Sequence, residues 1–142
     1  MTVKAILKEK GGDVFSMSPD TTLAAVAQEL SSRKIGALLI MEGDRLAGIL
    51  SERDIVRQIA ATGAAALDAP AASVMTKSVE TAALDDLIDD VMSRMTTSRF
   101  RHMPVVEGGR VVGLISIGDV VKRRIEAAVR ERDEIRDYIM ST

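Results

Sequence analysis

The apolar positions of this chain follow the same succession of patterns in both halves. In the first half, residues 14–15 look extended, and residues 23–30 carry apolar side chains at helical spacing. A continuous apolar run at 37–41 and a second apolar segment at 46–50 flank a tight turn, which predicts a hairpin. A further helix is predicted to begin at Ser51. The first half therefore reads β-α-β-β-α.

The second half repeats that order. Residues 78–79 look extended, and apolar side chains at helical spacing follow over residues 84–95. Residues 103–106 and 111–115 predict a second hairpin, and a long helix is expected from 117 to 139. The predicted fold class is α/β (α+β), with two tandem β-α-β-β-α repeats whose small mixed sheets pack on helices.

A short motif marks the same point in both repeats. Residues 48–56 read G-I-L-S-E-R-D-I-V and residues 113–121 read G-L-I-S-I-G-D-V-V, so corresponding positions are 65 apart. Such a repeat predicts two half-domains related by a pseudo-twofold axis, with equivalent clefts where they meet. We expect the first repeat to span 1–62, a linker 63–72, and the second repeat 73–142.

The helical patterns of the two repeats suggest a change of register. Leu23 matches Leu84 at a separation of 61, whereas Leu30 matches Met95 at 65. This comparison predicts that four residues are inserted into the first helix of the second half. Because four residues are close to one helical turn, the insertion would keep the buried face in phase.

Composition narrows the class of protein. The 142 residues are 46% hydrophobic and 28% charged, with a formal net charge of −2, as in globular proteins without a strong field for nucleic acid or acidic membranes. The absence of cysteine excludes disulfides and thiol nucleophiles. The sequence shows neither a signal peptide nor a membrane span, so we expect a cytoplasmic protein. Two phenylalanines and one tyrosine offer few stacking platforms for nucleic acid.

The repeated motif allows two interpretations. Ser51 and Ser116 are placed to cap helices, with Asp54 and Asp119 three residues later, and capping alone would explain all four residues. The motif also suits a nucleotide, because a helix N-terminus with a serine can bind phosphate and an aspartate can accept from a ribose diol. Its occurrence twice at the same strand ends favours a ligand site. The motif begins with a glycine in both copies, Gly48 and Gly113. Each glycine would either let a ligand approach the strand or relieve crowding in the sheet.

These residues carry a resemblance to a known family. The second half reads R-H-M-P-V-V-E at 101–107, followed by the motif at 113–119. With the first-half copy, the chain resembles a tandem pair of cystathionine β-synthase (CBS) domains from about Val3 to the last helix. The resemblance implies a regulatory module, not an enzyme, that binds AMP, ADP, ATP, NAD(H) or S-adenosylmethionine between its repeats. It also implies a homodimer and neither a catalytic cofactor nor a metal.

The resemblance implies two clefts, each combining motif residues of one repeat with residues of the other. The first cleft would comprise Leu114, Ser116, Gly118 and Asp119 with Ser18, Ile35, Gly36, Ala37 and Arg101. Its twin would comprise Ile49, Ser51, Arg53 and Asp54 with Lys77, Ser78, Phe100, Arg101 and His102.

Several of these positions differ between the halves. Ile35 and Phe100 would flank adenine or belong to the core. Arg101 is expected to contact phosphate, while Arg53 could do so or remain a solvated surface charge. His102 is expected to be structural. The family's usual strand proline is present at 104, but the first half has Leu39 there.

Three functions compete at this point. The first is a stand-alone sensor of adenine nucleotides, the second a homodimeric interaction scaffold with vestigial clefts, and the third a nucleotide-directed enzyme. One histidine, no cysteine and no P-loop weaken the enzyme interpretation. The long C-terminal helix could lie along its own domain or serve as a dimerising or partner-binding arm.

Overall fold

The structure is a computed structural model that describes residues 1–141. Thr142, the last residue of the predicted second repeat, lies outside the described residues. The helices and strands are α1 (Val3–Lys10), β1 (Ser16–Met17), α2 (Leu23–Arg33), β2 (Ala37–Glu42), β3 (Arg45–Ser51), α3 (Glu52–Thr62), a 3₁₀ helix (Gly63–Asp68), α4 (Ala71–Val74), α5 (Ile88–Ser98), β4 (His102–Glu107), β5 (Arg110–Ser116) and α6 (Ile117–Ser141).

The described chain forms two compact units. Residues 13–80 with 108–112 form one, which we call the first-repeat unit. Residues 1–12, 81–107 and 113 onward form the other, the second-repeat unit. The N-terminal helix α1 thus packs with elements that follow residue 80, and the expected linker forms the 3₁₀ helix and α4.

The first-repeat unit is built on a three-stranded mixed sheet. Strand β2 pairs in parallel with β1 and antiparallel with β3, as expected for a β-α-β-β-α repeat. Helix α2 begins after Thr22, whose hydroxyl accepts from Ala25 N at 3.2 Å, and is followed by its C-cap Lys34 in the left-handed conformation (φ 55°). The core of this unit comprises Leu23, Val26, Leu30, Leu38, Ile40, Leu50, Ile55 and Ala71.

The second-repeat unit contains β4, the part of β5 from Gly113 onward, the helices α5 and α6, and α1. Val3, Ile6 and Leu7 of α1 are buried. The first turn of α1 is fixed to the segment before α5, since Val3 N donates to Asp86 O at 3.0 Å and Lys4 N to Leu84 O at 2.9 Å. This helix was not among the predicted elements, although its buried side chains lie at helical spacing.

The predicted insertion is wrong. Helices α2 and α5 each contain 11 residues, and their buried positions correspond at a constant separation of 65. Leu23 therefore corresponds to Ile88, not to Leu84, which precedes α5. The pattern misled because Leu84 and Leu87 are apolar residues of a loop that continue the helical spacing by chance.

The predicted opening strand at residues 78–79 is also wrong. The second repeat opens with a single parallel bridge between Ala82 and Val105, which corresponds to the pair Met17–Ile40 in β1 and β2. In the first repeat, Leu39 N donates to Phe15 O at 3.1 Å. Its counterpart is Pro104, which has no N–H to donate, so this parallel pairing loses one of its hydrogen bonds.

A glycine in each hairpin is required by close packing within its own unit. A Cβ atom at Gly113 would lie 2.6 Å from Leu7 Cδ2 of α1. A Cβ atom at Gly48 would lie 2.7 Å from Met75 Sδ and 2.8 Å from the backbone oxygen of Thr76. Of the two roles expected for these glycines, relief of crowding is the one that the structure shows, and the crowding atoms belong to a helix and a loop beside the strand.

We expect Gly48→Ala to destabilise the protein by about 1–3 kcal/mol, the usual cost of overpacking. Gly113→Ala should cost less, because the Leu7 methyl groups can move further than the Thr76 backbone. Gly118→Ala is the control, since its Cβ atom would lie 3.6 Å from Ser116 Oγ and alanine favours a helix. Urea unfolding of the three variants measures their free energies of unfolding, and we expect the largest loss for Gly48→Ala and the smallest for Gly118→Ala. Equal losses for Gly48 and Gly118 would contradict the packing argument.

Candidate functional site

The motif of the first repeat forms a capping box at the start of α3. Ser51 N donates to Asp54 Oδ2 at 2.9 Å, and Asp54 N donates to Ser51 Oγ at 3.3 Å. The Ser51 hydroxyl also donates to Asp54 Oδ2 at 3.1 Å. The capping role expected of this pair is therefore confirmed.

The second motif has the same geometry at the start of α6. Ser116 N donates to Asp119 Oδ2 at 2.8 Å, and Asp119 N donates to Ser116 Oγ at 3.1 Å. Capping engages one carboxylate oxygen, while an ionised carboxylate offers about four acceptor positions. Capping and ligand binding are therefore compatible at both aspartates.

A second backbone contact brings one more predicted position to each motif. Glu52 N donates to Gly36 O at 3.0 Å, and Ile117 N donates to Arg101 O at 2.8 Å. Gly36 and Arg101 occupy corresponding positions, immediately before strands β2 and β4. Within the second-repeat unit, the exposed residue Arg101 thus lies beside the capped start of α6, where phosphate contact was expected.

The strand residues of the motifs have different neighbours. Ile49 N donates to Thr76 O at 3.0 Å, and Thr76 N donates to Ile49 O at 2.9 Å, so backbone covers this edge of β3. Lys77 and Ser78 follow directly and are exposed. In the second-repeat unit, Leu114 O instead accepts from Lys10 Nζ at 2.8 Å.

The other predicted site residues lie on the elements expected of them. Ile35 packs against the core of its unit, in agreement with one of its two expected roles. Ala37 is buried, Phe100 and His102 are half-buried, and Arg53, Gly118 and Ser18 are exposed. Ser18 Oγ donates to Asp20 Oδ1, and this hydrogen bond lowers the pKa of Asp20. The combination of residues from the two units into clefts stays a prediction.

Lys10 is a site residue that the sequence analysis missed. Its Nζ lies 2.7 Å from Asp119 Oδ2, and the two side chains are 41% and 26% exposed. Burial raises the pKa of Asp119, but the hydrogen bonds from Lys10 and from Ser116 outweigh burial and hold this pKa below its usual value of 3.8. No sequence signal near the motif points to Lys10, which lies 109 residues away along the chain.

A cavity of about 260 Å³ adjoins this ion pair in the second-repeat unit. Its lining is rich in charge of both signs, supplied by α1 and α6. Among its lining residues are Glu9, Lys10, Asp119, Lys122, Arg123 and Glu126. Arg123 Nη1 donates to Glu9 at 2.8 Å and so connects the two helices a second time.

The fold and the repeated capped motifs define a tandem pair of α/β repeats. The profile of the CBS domain family matches twice, at residues 3–61 and 71–126. The chain therefore belongs to the CBS domain family, as its resemblance implied.

Solved structures support the same assignment. A CBS-domain containing protein from Agrobacterium tumefaciens is 42% identical, with a TM-score of 0.86 over 87% of this chain and 99% of that one. A CBS domain protein from Pyrobaculum aerophilum, complexed with AMP, is 28% identical, with a TM-score of 0.73 over 84% and 89%. A CBS domain pair in complex with 5′-methylthioadenosine and S-adenosylmethionine is 26% identical, with a TM-score of 0.77 over 90% and 98%.

Residues 1–141 contain neither a membrane-spanning helix nor a cluster of metal ligands. None of the described helices is long and apolar enough to cross a membrane. Over the same residues, no group of three or more histidine and acidic side chains could hold a metal ion.

We expect Asp119→Asn to destabilise the protein by about 1 kcal/mol at neutral pH, as for loss of a capping interaction. Because the pKa of Asp119 is lower in the folded chain than in the unfolded one, its contribution is present above about pH 4. The contribution is lost as the pH falls through the folded-state pKa. Urea unfolding at pH 7 and pH 3 should show the difference between wild type and variant shrinking in acid. A difference independent of pH would contradict this role of the carboxylate.

Proposed function

We propose that this protein is a regulatory module that binds an adenosine-containing ligand at its two Ser-x-x-Asp motifs. The observation that carries the proposal is the repeated geometry of a capped aspartate at a helix N-terminus, with acceptor positions left for a ligand. Asp54 and Asp119 would accept hydrogen bonds from a ribose diol, and Ser51 and Ser116 lie where a phosphate meets the helix amides.

The family relatives favour adenosine as the shared part of the ligand. AMP, 5′-methylthioadenosine and S-adenosylmethionine differ in charge and substituent, but all contain adenine and ribose. A site built on an aspartate suits that common ribose. We assign Arg101 to ligands with a phosphate, because its backbone lies beside the α6 motif and guanidinium binds phosphate in a bidentate manner.

We place the ligand in clefts that combine the two units, with the residues named from the sequence. Ile35 and Phe100 would flank adenine, and Arg53 would be the second phosphate contact. We propose no catalytic role for any residue, since a binding module explains the motifs fully. The competing function is a scaffold in which capping is the sole role of Ser51, Asp54, Ser116 and Asp119.

Thermal unfolding with AMP, ADP, ATP, NAD(H) and S-adenosylmethionine separates these functions. A ligand at about 100 times its dissociation constant adds roughly 2.7 kcal/mol of stability. We expect stabilisation by adenosine ligands, a smaller effect in Asp54→Ala and Asp119→Ala, and none in the double variant. GMP is the ligand control, and Asp44→Ala in the exposed β2–β3 turn is the protein control. A protein that no adenosine ligand stabilises at millimolar concentration would be the scaffold.

We also propose that a second copy of the chain covers the outer face of α6. Ile125, Val129 and Ile139 on this helix are 58%, 41% and 66% exposed, an apolar area that a single copy leaves in water. Basic residues cluster near the start of α6 at 122–124, and near its end Asp133, Glu134 and Asp137 outnumber Arg136. An antiparallel pair of these helices would therefore place opposite charges side by side.

Light scattering after size exclusion tests this contact. We expect a dimer for the wild type and a shift toward monomer for Val129→Glu, because a charge would then be buried in the apolar contact. The exposed α3 residue Val56, at 65% exposure, provides the control Val56→Glu. A monomeric wild type, or equal effects of the two variants, would refute pairing through α6.

A further inference from the structure

The Asp119 motif differs from the Asp54 motif in a lysine that binds both its carboxylate and its strand carbonyl. Lys10 Nζ donates to Asp119 Oδ2 at 2.7 Å and to Leu114 O at 2.8 Å. These two acceptors are a carboxylate and a strand carbonyl, both among the predicted ligand positions. Lys10 therefore binds the same groups that a nucleoside would need.

Capping does not require this lysine. Asp54 makes the same backbone contacts with Ser51 and, in the described part of the chain, pairs with the cation Arg57, which lies three residues further along α3 at 3.5 Å. The Arg57 side chain is 77% exposed. The Asp54 carboxylate thus has a distant, solvated cation where Asp119 has a close one.

The position of Lys10 allows its side chain to move away from Asp119. It is the last residue of α1, and the helix is held by Val3, Ile6 and Leu7, which are buried and lie further back. Its side chain is 41% exposed, so the ammonium group can reach solvent by rotation of its stem. Displacing Lys10 therefore leaves the packing of α1 intact.

A nucleoside offers hydrogen-bond donors, as Lys10 does. A ribose diol offers two hydroxyl donors, and adenine offers an amino group. The Asp119 carboxylate and the Leu114 carbonyl only accept, and Lys10 Nζ donates to Asp119 Oδ2 and to Leu114 O, so an ammonium group and a nucleoside compete for these two oxygens. The ion pair is half-exposed, and breaking it costs little compared with a buried pair.

Resting on the proposed function, we infer that Lys10 is an intrachain competitor that lowers the affinity of the Asp119 motif for adenosine ligands. A ligand that binds the Asp119 carboxylate and the Leu114 carbonyl has to displace the lysine, whereas the Asp54 carboxylate pairs with the exposed Arg57 at 3.5 Å. At Ile49, the counterpart of Leu114, the carbonyl is bound by Thr76 N, so competition by a lysine belongs to the Asp119 motif. Lys10 is a residue that sets affinity and not one that contacts the bound ligand.

Isothermal titration with adenosine and with AMP tests the inference. The Asp54→Ala background leaves Asp119 as the remaining motif, and Lys10→Met removes the charge while keeping the length of the stem. We expect Lys10→Met to tighten binding of both ligands by about three- to five-fold, the range of a half-exposed ion pair. Lys8→Met, an exposed lysine of the same helix, is the matched control and should change nothing.

The outcomes separate the two proposals. Unchanged or weaker binding in Lys10→Met, with binding intact in the wild type, would overturn the competitor and leave the proposed function standing. Weaker binding of AMP alone would mark Lys10 as a phosphate contact instead. Absence of binding in the wild type and in Lys10→Met would overturn both proposals. Tighter binding that disappears when Asp119→Ala is added would establish the competition, with circular dichroism melts showing that each variant is folded.

Discussion

The structure depends on the packing of two leading segments against the hairpin glycines. Leu7 of α1 packs on Gly113 of β5, and Met75 with Thr76 packs on Gly48 of β3. In sequence, each segment lies at the start of one repeat and packs on the hairpin of the other. The constraint is steric, because a side chain at either glycine would meet atoms closer than 3 Å. Each compact unit is thereby assembled from parts of both sequence repeats.

The local sequence pattern was sufficient to predict the strands and helices whose own side chains carry that pattern. The hairpins and the long α6 were predicted close to their observed bounds, since the apolar runs of the strands and the helical apolar pattern of α6 lie within the elements themselves. The capping of α3 and α6 was predicted for the same reason, as Ser-x-x-Asp acts within a single turn. Tertiary contacts decided the rest. The loop residues Leu84 and Leu87 made the helical pattern of α5 look longer than the helix is. Pro104 has no N–H, so the parallel pairing of the second repeat lacks one backbone hydrogen bond.

The candidate site also contains residues that could be predicted from the sequence and one residue that could not. The residues of each motif, and the role of Ile35 in the core, could be predicted from sequence because they follow from the repeat and its family. Lys10 could not, because its contact with Asp119 spans 109 positions and arises from where α1 packs. The alignment of the two repeats could not predict the Lys10 contact either. In that alignment the counterpart of α1 is the four-residue helix α4, which is too short to supply a residue equivalent to Lys10.

Two motifs that share the same glycine, serine and aspartate thus differ through the segments that pack beside them. At Ile49, both backbone groups are bound by the backbone of Thr76, and this contact can be lost only if the chain around residue 76 moves. At Leu114, the carbonyl is bound by a lysine side chain, which can rotate away while the helix stays packed. Under the proposed function, a fixed backbone contact and an exchangeable side-chain contact would give the same motif different responses to a ligand. The repeat supplies the capped motif, and the leading segments make the two copies unequal.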